Sequence, residues 1–339
     1  MLKLTDEQKF KLGMKAAKLV EENKGILAAD ESPKSMDKRF EAVNIANTQE
    51  NRSLFREYLF KTFNLNKRIN GVILHEETFS QKDSKGNKLI DILKEKNISI
   101  GIKLDKGLKD FNESEKVSLG LQDLDERCRD DLFKDAEFAK WRSVFNITEN
   151  TPSKECIEEN CAILADYAEV CQKNGIVPIL EPEILWDGNY SEEKAKLVYL
   201  VVLSTLILKI NKKDLFLPGL LIKIGFPTHG KQSKMSICPK ETGKLTYHVL
   251  LSTIPPAIPG IVFLSGGHSS EEAFNLLNEV NKERGKNKWA LTFSYGRALT
   301  DPFLSTWQGK EENVDNAQKV FGKQLEKCFN AVDLPNKKK

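Results

Sequence analysis

Short apolar segments alternate with longer amphipathic segments along almost the whole chain. Eight of the short segments are rich in Val, Ile and Leu and have the length of buried strands. The segments between them have helical patterning, with apolar residues spaced three and four positions apart where the pattern is clearest. The predicted strands span 25–30, 71–77, 98–105, 138–145, 176–183, 220–226, 260–267 and 290–296.

The clearest predicted helix spans 152–173. It follows Thr151-Pro152, a typical helix start, and it ends before Asn174-Gly175, a typical stop. Its apolar face is formed by Ile157, Cys161, Leu164, Ala168 and Cys171. Further helices are predicted at the N-terminus over 1–20 and near 47–63, 117–134, 192–211, 241–253, 270–284 and 314–331.

Eight successive strand–helix units favour an α/β fold, a (β/α)₈ TIM barrel, over two doubly wound halves. A dinucleotide-binding fold is disfavoured because no G-x-G-x-x-G motif follows a predicted strand. We expect a single domain over 1–339, with barrel strands over about 25–296 and an N-terminal helical extension. A C-terminal helix and a basic tail are expected over 312–339. The polar segment 106–117 is interpreted as a long loop.

The composition excludes several classes of function. Charged residues make up 30% of the chain but give a formal net charge of only +3, which argues against nucleic-acid binding driven by bulk charge. No apolar segment reaches the roughly 18 residues of a membrane span, and the N-terminal segment has no signal-peptide pattern. We therefore expect a cytoplasmic protein without membrane insertion.

Cysteine and histidine spacing indicates neither a disulfide framework nor a metal site. The six cysteines are scattered without a C-x-x-C pair, which is typical of free thiols in a reducing compartment. The four histidines lack the spacing of metal ligands. We expect neither metal nor cofactor.

Charged and polar residues lie inside or at the end of nearly every predicted strand. Several stand two positions apart, so both side chains point to one face of the strand. A single pair of this kind is usually a surface ion pair. Because catalytic groups of a barrel lie at the carboxyl ends of its strands, this many such residues predict one site there. They are Asp30-Glu31, Lys103 with Asp105, Lys140 with Arg142, Glu181 with Glu183, Lys223, Ser265-Gly266-Gly267, and Ser294, Gly296 and Arg297.

Lys223 stands in the middle of the apolar segment 219–226. Burial of an ammonium group is costly unless it is paired or loses its proton. Burial and a neighbouring cation both favour the neutral amine, which attacks a carbonyl group to form a Schiff base. For this segment alone, a lysine that extends to solvent is the commoner arrangement. The residues do not decide by themselves which of Lys103, Lys140 and Lys223 is the nucleophile.

The predicted mouth of the barrel is cationic and suits phosphate. Basic side chains and glycine-rich backbone bind phosphate groups, and two phosphates bring about −3 to −4 of charge. A neighbouring glutamate would transfer protons while the carbinolamine forms and dehydrates. The basic groups are Lys103, Lys140, Lys223, Arg142 and Arg297.

Six segments resemble class I fructose-1,6-bisphosphate aldolase in order and spacing, over residues 5–330. The resemblance implies a glycolytic enzyme, usually a homotetramer, that cleaves fructose 1,6-bisphosphate to dihydroxyacetone phosphate and glyceraldehyde 3-phosphate without a metal. The segments are LAADESPKSMDKR (27–39), GIKLDKG (101–107), AKWR (139–142), NGIVPILEPEIL (174–185), FLSGG (263–267) and WALTFSYGRAL (289–299).

The resemblance also implies a role for each site residue. Lys223 would form the Schiff base, and Glu181 would act as general acid and base. Asp30 would assist cleavage of the C3–C4 bond, Lys140 would act at the C4 hydroxyl, and Glu183 would orient Lys223. The implied C1-phosphate site comprises Ser265, Gly266, Gly267, Ser294 and Arg297, with Gly296 beside them and Arg39 nearby. The implied C6-phosphate site comprises Ser32, Ser35, Lys103 and Arg142.

Three segments depart from the family pattern. Lys-Pro-Asn after the sixth strand is replaced by Lys223-Ile224-Gly225, and Ser-Thr-Gly after the Asp-Glu pair is replaced by Ser32-Pro33-Lys34. The sequence ends LPNKKK, without the terminal tyrosine that aids protonation of the enamine in many animal members. Either another group would then supply that proton, or the protonation step would be slow.

Three alternatives remain at this point. Gly225 to Lys231 resembles a P-loop, but Gln232 stands where a Ser or Thr would bind Mg²⁺. Another Schiff-base sugar-phosphate aldolase is disfavoured by the two separate phosphate-like clusters. A non-catalytic or second role as a scaffold for cytoskeletal partners is the third. A scaffold without any catalytic activity is disfavoured because the chain retains Lys223, Glu181, Asp30 and Lys140 together.

Overall fold

The structure, a computed structural model, describes residues 2–284 and 289–332. Ten strands lie within these residues, and eight of them form a closed barrel of parallel neighbours in the order β1-β10-β9-β8-β7-β6-β3-β2. This confirms the predicted (β/α)₈ barrel. The strands are β1 (Gly25–Ala29), β2 (Ile69–Leu74), β3 (Ser99–Lys103), β4 (Leu108–Asp110), β5 (Lys116–Ser118), β6 (Phe138–Phe145), β7 (Val177–Ile184), β8 (Leu221–Ile224), β9 (Gly260–Phe263) and β10 (Ala290–Tyr295).

Eleven α-helices lie within the described residues, and most of them connect successive barrel strands. They include every region predicted to be helical, and three further helices, α2, α4 and α10, were not predicted. The predicted basic tail beyond 332 lies outside the described residues, as does the end of the chain without tyrosine. The helices are α1 (Asp6–Val20), α2 (Pro33–Glu41), α3 (Gln49–Lys61), α4 (Leu89–Glu95), α5 (Leu124–Cys128), α6 (Lys154–Lys173), α7 (Glu192–Lys212), α8 (Pro239–Thr253), α9 (Ser270–Glu283), α10 (Arg297–Trp307) and α11 (Val314–Val332).

The segment predicted as a long loop, 106–117, instead contains most of a hairpin. Strands β4 and β5 pair antiparallel, and the Asn112 side chain accepts hydrogen bonds from the backbone of Ser114 and Glu115 at the turn. The loop prediction was wrong because the hairpin is polar on its solvent side, so its composition resembles a loop. The helix predicted over 117–134 is also shorter than expected: Gly120 has a φ of 119°, which no helix contains.

The N-terminal helix α1 closes the amino end of the barrel. It begins with a capping box formed by Thr5 and Gln8. Its buried face packs against the interior side chains of the strands, so the predicted extension becomes the floor of the barrel. The residues of this cluster are Leu12, Ala16, Leu19, Val20, Ile26, Ala28, Ile73, Phe138, Val177, Ile179, Leu221 and Val262.

Glycines on the barrel strands make room for large aromatic side chains on neighbouring strands, Phe138 inside the barrel and Phe293 on its outer side. A Cβ atom at Gly101 would lie 2.3 Å from the Phe138 ring, and one at Gly25 would lie 2.4 Å from the Phe293 ring. Glycine therefore makes room for phenylalanine on a neighbouring strand. The lower barrel is packed with apolar groups, which leaves the carboxyl end for polar chemistry.

None of the helices in residues 2–284 and 289–332 is long and apolar enough to cross a membrane.

Candidate active site

Four of the predicted catalytic residues meet at the carboxyl end of the barrel. The Glu181 carboxylate lies between two lysines, with Oε1 3.0 Å from Lys223 Nζ and Oε2 3.4 Å from Lys140 Nζ. Lys140 Nζ also lies 2.9 Å from Asp30 Oδ2. The side chains of Lys140, Glu181 and Lys223 are each only 5% exposed. The result is a buried chain of alternating charges.

Strand periodicity explains why these side chains meet. Lys140, Glu181 and Lys223 each stand two positions after an interior apolar residue of the same strand: Phe138, Ile179 and Leu221 respectively. Side chains two apart share a face, so each charged group points inward one layer above the apolar packing. Parallel pairing of β6, β7 and β8 places the three at neighbouring positions.

The lysines and carboxylates stabilise each other's charges. Burial opposes ionisation of Asp30, but the charges of Lys140, Lys223 and Lys103 outweigh it and lower the pKa of Asp30 to about 2. Burial likewise opposes the charged form of Lys140, yet Asp30, Glu181 and Asp105 raise the pKa of Lys140 far above its usual range. Lys140 is therefore a permanent cation beside Lys223 and Glu181.

Asp105 belongs to this cluster, although the family resemblance assigned it no role. Its Oδ1 lies 2.8 Å from Lys103 Nζ and its Oδ2 lies 3.8 Å from Lys140 Nζ. Its side chain is 5% exposed. The signal was present in the sequence, because Asp105 forms one of the i, i+2 charged pairs with Lys103. The expected cationic mouth is thus balanced by carboxylates.

Glu183 and Arg142 form an ion pair with each other. The family resemblance implies that Glu183 orients Lys223. In the structure, the carboxylate that pairs with Lys223 is that of Glu181, and Glu183 pairs with Arg142. Arg142 remains 36% exposed, so its guanidinium also faces the mouth of the barrel. As predicted, Arg142 shares a strand face with Lys140, and Glu183 shares one with Glu181. Both side chains lie one layer closer to the mouth of the barrel than Lys140 and Glu181.

The predicted C1-phosphate residues surround the starts of two helices. Gly266 and Gly267 have φ angles of 59° and 98°, a region that favours glycine. They lead to Ser269, the N-cap of α9, and Gly296 is the N-cap of α10. An open pocket of about 410 Å³ separates the two helix starts. It is lined by Gly267, His268, Ser269, Ser270, Arg297, Ala298, Asp301, Pro302 and Ser305.

This pocket has the chemistry of an anion site. Helix N-termini carry a partial positive charge and free N–H groups, and barrel enzymes often bind phosphate in the loops after their last two strands. Arg297 is exposed and forms no ion pair within residues 2–284 and 289–332. Ser294 Oγ is buried without a hydrogen-bond partner among those residues. Both groups are thus available to a ligand.

The predicted C6-phosphate residues lie on the opposite side, near β1, β3 and β6. Ser32 is the N-cap of α2, and its hydroxyl lies 3.0 Å from that of Ser35. Lys103 and Arg142, described above, complete the set. Pro33 occupies the first position of α2, where proline is favoured, so this departure from the family pattern starts a helix.

Arg39 is held between two elements. It pairs with Glu31 after β1 and with Asp301 of α10, at 2.7 Å, and it donates to Thr300 Oγ1 at 2.7 Å. The guanidinium therefore ties α2 to α10. The resemblance put Arg39 near the C1-phosphate site, and Asp301 lines the pocket there.

Packing accounts for glycine at position 225, one of the two departures from the family pattern after Lys223. A Cβ atom at Gly225 would lie 2.9 Å from the Tyr199 hydroxyl, which hydrogen-bonds to the Gly225 backbone. Tyr199 of α7 thus occupies the space that a side chain at position 225 would need. The P-loop alternative is disfavoured, since 225–231 leads into the three-residue 3₁₀ turn Lys231–Ser233 rather than a long helix.

No group of three or more His, Cys, Asp or Glu side chains in residues 2–284 and 289–332 could hold a metal ion.

A buried lysine beside a carboxylate, at the carboxyl end of a (β/α)₈ barrel with an anion pocket, suits amine chemistry on a phosphorylated carbonyl compound. The family model for class I fructose-bisphosphate aldolase matches residues 11–333. The chain belongs to this family, and it is a fructose-bisphosphate aldolase by class.

Relatives and a solved structure support this over nearly the whole chain. Fructose-bisphosphate aldolase of Encephalitozoon cuniculi is 52% identical over 95% of this chain and 94% of its own length. Cytosolic fructose-bisphosphate aldolase 4 of Arabidopsis thaliana is 44% identical over 92% of this chain and 80% of its own length. A Plasmodium falciparum fructose-bisphosphate aldolase structure, solved with TRAP and an inhibitor, superposes with a TM-score of 0.95. It is 44% identical and covers 97% of this chain and 96% of its own.

Proposed function

We propose that this single-domain barrel reversibly cleaves fructose 1,6-bisphosphate to dihydroxyacetone phosphate and glyceraldehyde 3-phosphate through a Schiff base on Lys223. The reaction would serve glycolysis in the cytoplasm, without a metal or cofactor. One observation carries the proposal: the buried Lys223 amine lies 3.0 Å from the Glu181 carboxylate, with the Lys140 cation on the other side of that carboxylate.

Lys223 and Glu181 would form the Schiff base together. The Lys223 ammonium gives a proton to Glu181, and the neutral amine attacks C2 of the open-chain ketose. Glu181 then returns this proton to the alkoxide oxygen, which gives the carbinolamine. A second proton passes from the carbinolamine nitrogen through Glu181 to the hydroxyl group, so that water leaves and the iminium forms. Glu181 Oε1 faces Lys223 Nζ at 3.0 Å and is placed for these transfers, while Oε2 stays paired with Lys140 at 3.4 Å.

The iminium group would then accept the electron pair of the C3–C4 bond. A carboxylate removes the C4 hydroxyl proton, C4 becomes an aldehyde, and the electrons move through C3 and C2 to the Schiff-base nitrogen. Asp30 is suited to assist because it stays ionised at neutral pH. The Lys140 cation would stabilise negative charge that develops on the C4 oxygen.

The remaining enamine would be protonated at C3 and hydrolysed, which releases dihydroxyacetone phosphate and restores Lys223. The two phosphates would orient the substrate across the barrel. The C1 phosphate would contact Ser265, Gly266, Gly267, Ser294, Gly296 and Arg297, with Arg39 behind them; the C6 phosphate would contact Ser32, Ser35, Lys103 and Arg142.

Borohydride trapping tests the proposal. Incubation with dihydroxyacetone phosphate and EDTA, followed by reduction and peptide mapping, is expected to leave a stable adduct on Lys223. The Lys223→Arg protein, which keeps a cation but cannot form the Schiff base, is expected to show no adduct. An adduct on Lys103 or Lys140 would overturn the assigned roles. No adduct in folded wild-type protein would refute the Schiff-base mechanism.

A substrate panel separates this function from that of another Schiff-base aldolase. Because each phosphate site contributes charge-assisted hydrogen bonds, loss of one phosphate is expected to lower kcat/KM by about tenfold or more. Equal turnover of fructose 1,6-bisphosphate and a monophosphate ketose would favour the other aldolase.

We propose in addition that the protein is a homotetramer, as the family resemblance implies. A line of apolar side chains on α7 supports an interface between copies. Leu197, Val201 and Leu208 are 52%, 53% and 49% exposed in the single chain, and spacings of four and seven place them on one face.

A further inference from the structure

The side chain of His75, the residue directly after β2, points toward the inside of the barrel. The His75 backbone is still extended, with φ −78° and ψ 152°, so the alternation of side chains along β2 continues to this position. Ile73, two residues earlier, belongs to the apolar cluster inside the barrel. Because side chains two apart share a face, His75 lies one layer above Ile73, toward the mouth.

Strand pairing puts His75 in one row with residues of the catalytic cluster. The last residue of β2 pairs with the last residue of β1 and with Ile102 of β3. Each chain continues by one residue, so Asp30 and Lys103 flank His75. The ion pair between Lys140 and Asp30, at 2.9 Å, joins β6 to β1, and β2 and β3 are the two strands between them. His75 therefore stands beside this ion pair.

The His75 imidazole has one free hydrogen-bond donor. Its Nδ1 accepts a hydrogen bond from the Glu77 backbone N–H at 3.4 Å and so caps the short 3₁₀ turn Glu76–Phe79. The proton of the neutral ring is therefore on Nε2, which forms no hydrogen bond within residues 2–284 and 289–332. The side chain is half-buried, so a ligand in the mouth of the barrel can reach Nε2.

The ring is neutral near pH 7 in the free protein. Burial and the charge of Arg56 lower the pKa of His75, and Lys103 acts in the same direction, against the opposing charges of Glu76 and Glu77. His75 thus offers a neutral N–H donor rather than a cation. Its contribution to the binding of an anion is that of one hydrogen bond.

We propose that His75 Nε2 donates a hydrogen bond to the C6 phosphate of the bound sugar and is a further substrate-binding residue. The proposed contacts Ser32 and Ser35 follow β1, and Lys103 ends β3. His75 follows β2, the strand between these two, and its free donor lies in the same part of the mouth. Phosphate oxygens are strong acceptors. This inference rests on the proposed function.

Two substitutions separate the free donor from the cap. His75→Asn keeps a side-chain acceptor for the Glu77 N–H, since Asn is a favoured N-cap residue, but Asn is too short to replace Nε2. His75→Gln is a poorer cap, but its longer amide carries N–H donors toward the position of Nε2. His248→Asn makes the same chemical change at an exposed position of α8 and is the matched control.

Steady-state kinetics with two substrates test the contact. In His75→Asn, the loss of one hydrogen bond is expected to raise the KM for fructose 1,6-bisphosphate by about 3- to 10-fold, with kcat changed less. The KM for fructose 1-phosphate, which lacks the C6 phosphate, is expected to stay at the wild-type value. His75→Gln is expected to recover most of the lost affinity, and His248→Asn is expected to match wild type with both substrates.

A purely structural role of His75 gives a different pattern. Thermal unfolding of His75→Asn is expected at the wild-type Tm because the cap is kept. An unchanged KM for fructose 1,6-bisphosphate in this variant would overturn the proposal. An equal loss with both substrates, or a loss in His75→Gln as large as in His75→Asn, would overturn it too, because neither result depends on a donor to the C6 phosphate.

A binding measurement separates this inference from the proposed function. Hexitol 1,6-bisphosphate has two phosphates but no carbonyl group, so it binds without forming a Schiff base. In calorimetry, its Kd is expected to be weaker in His75→Asn than in wild type by about 3- to 10-fold. Wild-type protein that shows this difference but does not cleave fructose 1,6-bisphosphate would refute the proposed function alone. Equal Kd values in a wild-type protein that cleaves the substrate would refute the role of His75 alone.

Discussion

At the scale of single residues, the site is organised by pairing of buried charges. Lys223, Glu181, Lys140 and Asp30 alternate in sign, because an unpaired charge in this low-dielectric setting would cost several kcal/mol. The same pairing prepares the site for catalysis. It keeps Asp30 ionised and Lys140 cationic before substrate arrives.

Removal of the Lys140 charge is expected to slow the reaction far more than it weakens binding. In Lys140→Met, nothing stabilises the developing charge on the C4 oxygen, so kcat should fall by about 10²- to 10⁴-fold. Steady-state kinetics measure this. Lys209→Met, which removes a surface lysine paired with Glu158, is the control and should keep wild-type kcat. A kcat within tenfold of wild type for Lys140→Met would contradict the assigned role.

The low pKa of Asp30 predicts a specific pH dependence of stability. A carboxyl group with a folded-state pKa of about 2 and an ordinary unfolded-state pKa stabilises the fold above the unfolded value. This contribution is lost as the pH falls through the folded value. Between about pH 5 and pH 2, the free energy of unfolding should therefore drop by about 2 kcal/mol more in wild type than in Asp30→Asn.

Denaturant titrations at a series of pH values check this, with Asp110→Asn as a surface control. Asp110 is 78% exposed, so that variant should follow the wild-type curve. Parallel curves for wild type and Asp30→Asn would contradict the prediction.

At the scale of elements, two segments took positions that their sequence patterns did not specify. The amphipathic pattern of α1 predicted a helix but not that it closes the amino end of the barrel. The segment around β4 and β5 forms a hairpin held by long-range contacts: Glu115 accepts hydrogen bonds from the Ser153 backbone and hydroxyl at the start of α6. Local composition does not report contacts between residues so far apart in sequence.

Because α1 forms the floor of the barrel, substitutions on its buried face are expected to lower the free energy of unfolding more than substitutions on its exposed face. Leu12 is fully buried in the cluster at the amino end, whereas Phe10, two residues earlier, is 68% exposed. Leu12→Ala should lower the free energy of unfolding by about 2–5 kcal/mol because it leaves a cavity. Phe10→Ala should change it by less than about 0.5 kcal/mol. Equal losses in urea titrations of the two variants would show that α1 does not close the barrel.

At the scale of the whole molecule, closure of the barrel creates the site. The strands that carry Asp30 and Lys140 are far apart in sequence, and three further strands of the barrel bring Glu181, Lys223 and Ser294 to the same end. The pocket between the starts of α9 and α10 likewise follows from the pairing of β9 with β10, the strands that precede these helices. Each pairing is a long-range contact, so the site forms only with the complete ring.

The proposed tetramer predicts a mass of about four times 38.4 kDa in sedimentation at micromolar concentration. Val201→Glu together with Leu208→Glu should lower that mass, because charges in an apolar interface are costly. Glu113→Gln, a change in the exposed hairpin turn, is the control and should leave the mass unchanged. A single-chain mass for wild-type protein would contradict the homotetramer.

Sequence alone determined the fold class, the eight barrel strands, most helices and the identity of the charged residues at the strand ends. It could do so because strand and helix periods are local properties, and because parallel strands must bring their carboxyl ends to one side. Lys223 shows the limit of this: the pattern predicted that it stands inside a buried strand, whereas the family resemblance alone singled it out among Lys103, Lys140 and Lys223.

Only the tertiary structure decided which charges pair. It placed Glu181 rather than Glu183 beside Lys223, and it paired Asp105 with Lys103 next to Lys140. These outcomes depend on distances of a few ångströms between residues distant in sequence, set by strand register and side-chain packing. Local patterns carry no information about such distances, so the pairing of charges emerges only when the barrel closes.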